Sequence, residues 1–184
     1  MEKELEQRQS NCVKIVLFGP ESTGKTTLAK LLANHFDTAW VPEVMRPYLQ
    51  QKWDLTGQKI SKDDLLPIAT GQMASENDGS KSANGFLFCD TNLLELKVYS
   101  DYYYGNCPQE IEDALNTHPY DFYFLTNIDV PWEADDLRDR PYDRSTLFRN
   151  FETALKQRNL PYLLLEGDVQ TRLKTAITTI QNRF

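Results

Sequence analysis

Apolar residues fall into two alternating patterns along the chain. Four short runs are almost uninterrupted: Val13-Lys14-Ile15-Val16-Leu17-Phe18, Phe86-Leu87-Phe88-Cys89, Phe122-Tyr123-Phe124-Leu125 and Tyr162-Leu163-Leu164-Leu165. A strand buried on one face alternates polar and apolar residues, so these runs predict strands covered on both faces of a parallel sheet. A weaker run, Thr38-Ala39-Trp40-Val41, predicts a fifth strand. Between the runs the period lengthens to that of a helix. Leu28, Leu31, Leu32 and Phe36 share one face, Leu147, Phe148, Phe151 and Leu155 another, and Val169, Leu173, Ala176, Ile177 and Ile180 a third. Strands alternating with amphipathic helices predict a doubly wound α/β domain. Residues 1–11 follow neither pattern and are expected to form a flexible, solvated N-terminal extension, leaving 12–184 as one domain. Two stretches interrupt the alternation: 53–63 reads as a polar loop, and 131–146 as a charge-dense excursion of the kind that serves as a mobile lid.

Composition narrows the function classes. The 184 residues suit one domain, and a 40% hydrophobic content is enough for a packed core. Asp plus Glu number 27 against 20 for Lys plus Arg, a net charge of −7, which repels phosphodiester backbones and argues against a nucleic-acid partner. No apolar run approaches the roughly 18–20 residues that span a bilayer, and MEKELEQRQS lacks the apolar segment of a secretory signal. Neither a membrane partner nor export is expected. Cys12, Cys89 and Cys107 are odd in number and scattered, which suits a reducing, cytoplasmic setting without disulfides. With His35 and His118 as the only histidines, a structural zinc site is not expected either.

The first predicted strand runs straight into Gly19-Pro20-Glu21-Ser22-Thr23-Gly24-Lys25-Thr26, a full match to G-x-x-x-x-G-K-[ST], with an amphipathic helix behind it. Glycines at 19 and 24 let the backbone curl so that successive N–H groups face phosphate oxygens. The helix then aims its positive end at the same anion. Gly19, Glu21, Ser22, Thr23, Gly24, Lys25, Thr26 and Thr27 are therefore the candidate ATP contacts. Lys25 serves the β and γ phosphates, and Thr26 offers a hydroxyl to Mg²⁺. Asp90, ending the third predicted strand, is the second candidate Mg²⁺ group, the alternative being a helix N-cap.

The choice among nucleotide-binding proteins rests on what surrounds the loop. Mechanical ATPases place Glu after this Asp, whereas Thr91 follows here, and Asn127-Ile128-Asp129 does not match the guanine-reading Asn-Lys-x-Asp. A small-molecule kinase needs an acceptor site, a base and arginines for the transferring phosphoryl group. Glu43 is the candidate base, with Arg46 three residues on and able to share its helical face; the alternative for Glu43 is a first-turn carboxylate on a helix dipole. Arg138, Arg140 and Arg144 in the excursion suit a closing lid, or else pair with neighbouring aspartates on a solvated surface. Trp40 could stack on a flat ring or sit in the core, Trp53 could form a second wall, and the Tyr99, Tyr102, Tyr103, Tyr104 cluster reads as packing.

The ordered set of motifs resembles the ribosylnicotinamide kinase domain of NadR-type proteins, in the P-loop kinase superfamily. It comprises the phosphate loop, Trp40-Val41-Pro42-Glu43-Val44-Met45-Arg46, Gly71-Gln72, Phe88-Cys89-Asp90-Thr91-Asn92 and Trp132-Glu133-Ala134-Asp135-Asp136-Leu137-Arg138, and runs from about Val13 to Ile180. The resemblance implies a three-layer fold with a five-stranded parallel sheet ordered 2-3-1-4-5 and a small arginine-bearing lid. It also implies ATP-dependent phosphorylation of nicotinamide riboside to nicotinamide mononucleotide, in NAD salvage, with ATP and Mg²⁺ as cofactors. Trp40, Glu43, Arg46, Gln72 and Asp90 would contact the acceptor, Gln72 reaching a polar substituent of its ring. The adenylyltransferase and DNA-binding domains of many NadR proteins have no counterpart in these 184 residues, so neither adenylyl transfer nor repression is implied. Pro47 stands where the family often has Glu, and the helix after Gln72 offers Met73, Glu76 and Asn77 but no second aromatic wall. Two alternatives remain: a deoxynucleoside or nucleotide kinase, and a regulatory ATP-binding switch without a small-molecule acceptor.

Overall fold

The computed structural model describes residues 5–131 and 143–184. All five expected strands form: β1 (Val13–Phe18), β2 (Ala39–Val41), β3 (Phe86–Asp90), β4 (Phe122–Thr126) and β5 (Tyr162–Leu165). They pair in parallel in the order β2-β3-β1-β4-β5, with Leu17 beside Asp90 at the carboxyl ends of β1 and β3. The described helices are α1 (Lys25–His35), α2 (Met45–Thr56), α3 (Leu65–Ser82), α4 (Leu93–Tyr104), α5 (Gln109–Thr117), α6 (Arg144–Gln157) and α7 (Val169–Arg183). None of them is long and apolar enough to cross a membrane.

The uninterrupted strand runs are explained by two cores. Ile15 and Leu17 of β1 pack with Phe88, Phe122 and Phe124 against α1 and α7. Their neighbours Val16 and Phe18 pack with Cys89, Tyr123 and Leu125 against α4 and α6. Successive side chains point to opposite faces, so a sheet with helices on both sides needs apolar residues at every position. A third cluster joins α3, α4 and α5 through Leu65, Ile68, Met73, Leu93, Leu96 and Ile111. Within the last expected helical face, Val169 is an exception: it opens α7 and is 39% exposed.

Two expectations are corrected here. Residues 5–11 do not stand off as a solvated extension. Leu5 is buried in the third cluster, the Gln7 N–H donates to His118 Nε2 at 3.2 Å, and the Arg8 N–H donates to Asn77 Oδ1 at 2.8 Å. A single leucine among charged residues leaves no periodicity to read, yet it is enough to seat the segment. Nor is 53–63 a continuous loop. Trp53–Thr56 complete α2, Gly57 ends it with φ 65°, and Lys62–Asp64 form a 3₁₀ turn capped reciprocally by Ser61 and Asp64. None of the α2 residues is fully buried, so no apolar stripe marked its last turn.

Candidate active site

The phosphate loop spans the end of β1 and the start of α1, and its conformation is forced by its packing. Gly19 has φ 143°, and a Cβ there would lie 2.6 Å from Thr126 Oγ1 and 2.9 Å from the Thr126 carbonyl oxygen. Gly24 (φ 82°) and Ser22 (φ 56°) complete the curl in the left-handed region. The loop carbonyls are tied both from within the loop and by arginines outside it. Thr23 Oγ1 donates to the Pro20 carbonyl at 2.7 Å. Arg172 of α7 donates to the Thr23 carbonyl at 2.7 Å and to the Asn127 carbonyl at 3.0 Å, and pairs with Asp129. Arg144 donates to the carbonyls of Val130 at 3.0 Å and Ser22 at 3.3 Å. Carbonyls engaged in this way leave the backbone amides of the loop to receive an anion.

Charge concentrates on the inner side of the loop. Lys25 Nζ donates to the carbonyls of Gly19 at 2.7 Å and Pro20 at 3.0 Å, and lies 3.4 Å from Glu95 Oε1. Burial favours the neutral amine, but the carboxylates of Glu95, Glu43 and Asp90 outweigh it and raise the Lys25 pKa above its ordinary value. Burial pushes the Glu95 carboxyl well up, with Lys25 opposing and Glu43 and Asp90 reinforcing. Asp90 is also raised by burial, against the pull of Lys25. Thr26 Oγ1 donates to Asp90 Oδ2 at 2.5 Å, while the other oxygen, Oδ1, is buried without a hydrogen-bond partner among the described residues. The helix N-cap that Asp90 could have supplied comes instead from Asn92, whose side chain accepts from the Leu94 N–H at 3.1 Å. A hydroxyl beside a half-satisfied carboxylate next to a phosphate loop fits Mg²⁺, which takes few protein ligands and completes its shell from phosphates and water. No larger His, Cys, Asp and Glu cluster suited to a metal exists among the described residues.

In front of the loop lies a cleft of about 650 Å³. The structure brings Glu21, Ser22, Thr23, Gly24, Lys25, Thr26 and Thr27 to one wall and Glu43 and Arg46 to another. Glu43 precedes the helix rather than opening it, since α2 begins at Met45 and its first turn holds no acidic residue. The rest of the lining is largely apolar, with Met45 and Leu49 of α2, Ile60, and Tyr99 and Tyr103 of α4, and adds Glu95 of α4 beside Lys25.

Several expected contacts are placed elsewhere. The Trp40 ring belongs to the core cluster on the α1 and α7 face, with Lys30 Nζ 5.1 Å from its centroid, and it does not line the cleft. Trp53 sits in α2, likewise off the cleft. Gln72 is buried in α3 behind Glu43, its amide spent on backbone groups at Pro42 and Val44. Arg144 is the first residue of α6 and braces the loop; Arg138, Arg140 and most of the expected 131–146 lid lie outside the described residues.

Sequence reasoning also missed residues. Glu95, Tyr99 and Tyr103 recur at i, i+4, i+8 and form one face of α4 toward the cleft. The tyrosines do stack on each other, 6.3 Å between centroids, as packing predicted, but Tyr99 Oη also accepts the Glu21 N–H at 3.2 Å. The available signal was a Glu one turn into the helix that follows Asp90. Arg172 is 2% exposed, and its signal was an arginine inside the apolar face of the last helix.

A parallel sheet in this order, with an anion cradle between its central strand and first helix, and a lysine, a threonine and an aspartate around it, defines a P-loop nucleoside-triphosphate-binding domain of kinase architecture. The chain belongs to the AAA domain family, whose model matches residues 14–172. It is 25% identical over 170 residues to the trifunctional NAD biosynthesis/regulator protein NadR of Salmonella typhimurium (strain LT2), covering 91% of this chain and 42% of that protein. It thus spans about two fifths of that relative's length. A crystal structure of NadR in complex with NR matches with a TM-score of 0.75 at 22% identity, over 94% of this chain and 51% of that one. Deoxyadenosine kinase from M. mycoides, with products bound, matches with a TM-score of 0.66 at 16% identity, over 92% of this chain and 100% of that one. The NadR-type resemblance read from the motifs therefore holds along nearly the whole chain.

Proposed function

We propose that the protein is an ATP-dependent kinase of the cytoplasm that phosphorylates a hydroxyl of a nucleoside-like acceptor, nicotinamide riboside being the first candidate. The observation that carries this reading is Glu43, which faces the phosphate loop across a cleft large enough for a nucleoside. In this reading the loop amides and Lys25 bind ATP, and Lys25 follows the charge that develops on the γ-phosphoryl group. Glu43 orients the acceptor hydroxyl and takes its proton late, because phosphoryl transfer passes through a loose transition state. Arg46 helps to hold the acceptor, and Arg138 and Arg140 of the lid cover the phosphoryl group. Thr26 and Asp90 would hold Mg²⁺, which neutralises charge on the β and γ oxygens when bound. Met45, Leu49, Ile60 and Tyr103 would take the base of the acceptor.

The test incubates the protein with Mg-ATP and a panel of nucleosides and follows ADP release. Acceptor-dependent release with nicotinamide riboside supports the reading, and slow release that ignores the acceptor supports a regulatory switch instead. Turnover of a deoxynucleoside in place of nicotinamide riboside favours a second reading. Trp40, half-buried on the α1 and α7 side of the sheet and off the cleft, is not positioned to stack on a pyridinium ring, and this is the observation behind it. Glu43→Gln, which keeps shape but cannot accept the proton, is expected to lower kcat about 10²- to 10⁴-fold with little change in ATP affinity.

A further inference from the structure

We propose that Gln72 is a positioning residue for Glu43, fixing the backbone on both sides of the base; this rests on the kinase reading above. β2 ends at Val41 and α2 begins at Met45, so Glu43 sits in a three-residue connection that belongs to no regular element. The two flanking residues do not anchor the backbone themselves: Pro42 has no N–H to donate, and the α2 N-cap residue, Val44, makes no side-chain cap. Gln72 bonds to both of them from the middle of α3. Its Oε1 accepts the Val44 N–H at 2.9 Å, and its Nε2 donates to the Pro42 carbonyl at 3.3 Å. The two backbone groups are those immediately before and after Glu43. With 4% of its surface exposed, the Gln72 amide exchanges neither bond with water.

The preceding residue sets the spacing. A Cβ on Gly71 would come within 2.9 Å of Val44 Cγ1, so a larger residue there would push Val44 away from the glutamine. One turn pair further on, Gly79 admits Val41 in the same way, a Cβ there falling 3.1 Å from Val41 Cγ2. An amide is required chemically, because the clip needs one acceptor and one donor at a fixed separation. A carboxylate would turn its second oxygen on the Pro42 carbonyl. Since a displacement of about 1 Å can cost about 10² in rate, a released Glu43 backbone should be felt in kcat before it is felt in binding.

The experiment is a double-mutant cycle on kcat, using the panel nucleoside with the highest turnover and a separate titration of ATP affinity. Gln72→Leu and Gln72→Glu are each expected to lower kcat about 10- to 100-fold, up to the cost of a 1 Å displacement, with ATP affinity within about twofold. In a Glu43→Gln background the same substitutions should cost less than about threefold further, because non-additivity marks residues that act as a unit. A purely structural role would shift the melting temperature, KM and ATP affinity together and would add to Glu43→Gln. Additive losses, or a Gln72 variant that keeps kcat within about threefold, would overturn the proposal. Should Gln72→Leu fail to fold, Gly71→Ala tests the same geometry with the glutamine intact, and is expected to lower kcat in the same range. The failure of the kinase reading looks different: Glu43→Gln would then leave kcat unchanged, removing the object that Gln72 positions.

Discussion

Glu95→Gln should tighten ATP binding rather than weaken it. In the structure Lys25 lies 3.4 Å from Glu95 and donates to two loop carbonyls, the contacts it must loosen to serve phosphate. At an effective dielectric near 20, a pair at that distance is worth about 5 kcal/mol before desolvation is subtracted. Burial has already pushed the Glu95 carboxyl well up, so the carboxylate is held at a cost and the net term is far smaller. Hydrogen bonds to charged groups contribute about 1.5–3 kcal/mol net, and the low end is appropriate here. Removing that competitor should strengthen ATP binding about tenfold, since 1.4 kcal/mol is a factor of ten. The assay is calorimetric titration with a non-hydrolysable ATP analogue, paired with thermal melts. Without nucleotide, the variant should melt no lower than wild type, because a carboxyl raised well above its ordinary value weakens the fold when it is ionised. Saturating nucleotide should raise the melting temperature of the variant more than that of wild type, because tighter binding stabilises the native state further. Unchanged or weaker ATP affinity would refute the competition and make Glu95 a residue that holds Lys25 in its productive pose.

Further outcomes follow from other contacts. Asp90→Asn should lower kcat and shift the Mg²⁺ requirement upward together, because the amide keeps the Thr26 contact and loses the charge; a Mg²⁺ titration matching wild type would count against a metal role. Gly19→Ala should weaken ATP binding at least about tenfold and lower the melting temperature, since its Cβ meets Thr126 at 2.6 Å; wild-type affinity by titration would mean the loop tolerates the shift. Burial raises the Asp64 carboxyl, but hydrogen bonds from Lys52 and Ser61 outweigh it and hold it below its ordinary value of 3.8. A lowered carboxyl stabilises the fold above that pH, and the contribution is lost as pH falls through 3.8 and below. Asp64→Asn should therefore melt lower than wild type at neutral pH and approach it as pH falls below 3.8, as followed by melts across the acid range.

The sheet and the phosphate loop were legible because their signals are local and periodic. Two-sided burial shows as unbroken apolar runs, and an anion cradle needs glycines at fixed spacing. The placement of Glu43 and Asp90 near the loop was legible from their positions at the ends of β2 and β3, and that of Arg46 from its three-residue spacing to Glu43. Trp40 was misplaced, although the strand period held the answer. Ala39 and Val41 pack toward the face that carries α4 and α6, so the intervening Trp40 must point to the opposite face, toward α1. A residue on that side of β2 does not reach a cleft walled by α2 and α4. Leu5, Glu95 and Arg172 were harder for another reason. Each depends on a partner far away in sequence, and composition and periodicity carry no information about such pairs.

The least legible element is the one that organises the acceptor side. α3 contains Gly71 and Gly79, and a glycine inside a helix costs about 1 kcal/mol relative to alanine, so from propensity alone the segment looks poorly helical. The structure gives both glycines a reason: a Cβ would fall 2.9 Å from Val44 Cγ1 at Gly71 and 3.1 Å from Val41 Cγ2 at Gly79, so either would push on the β2–α2 segment. Local preference is sacrificed where a backbone must come close, and the backbone brought close is the one carrying Glu43. Gln72 lies beside the first of these glycines, buried, with an amide that completes two main-chain bonds. In a helix of ordinary sequence a glutamine next to a glycine signifies nothing. Read with the close approach, the pair ties α3 to the segment that carries Glu43, the base of the proposed reaction, and the propensity loss marks its position.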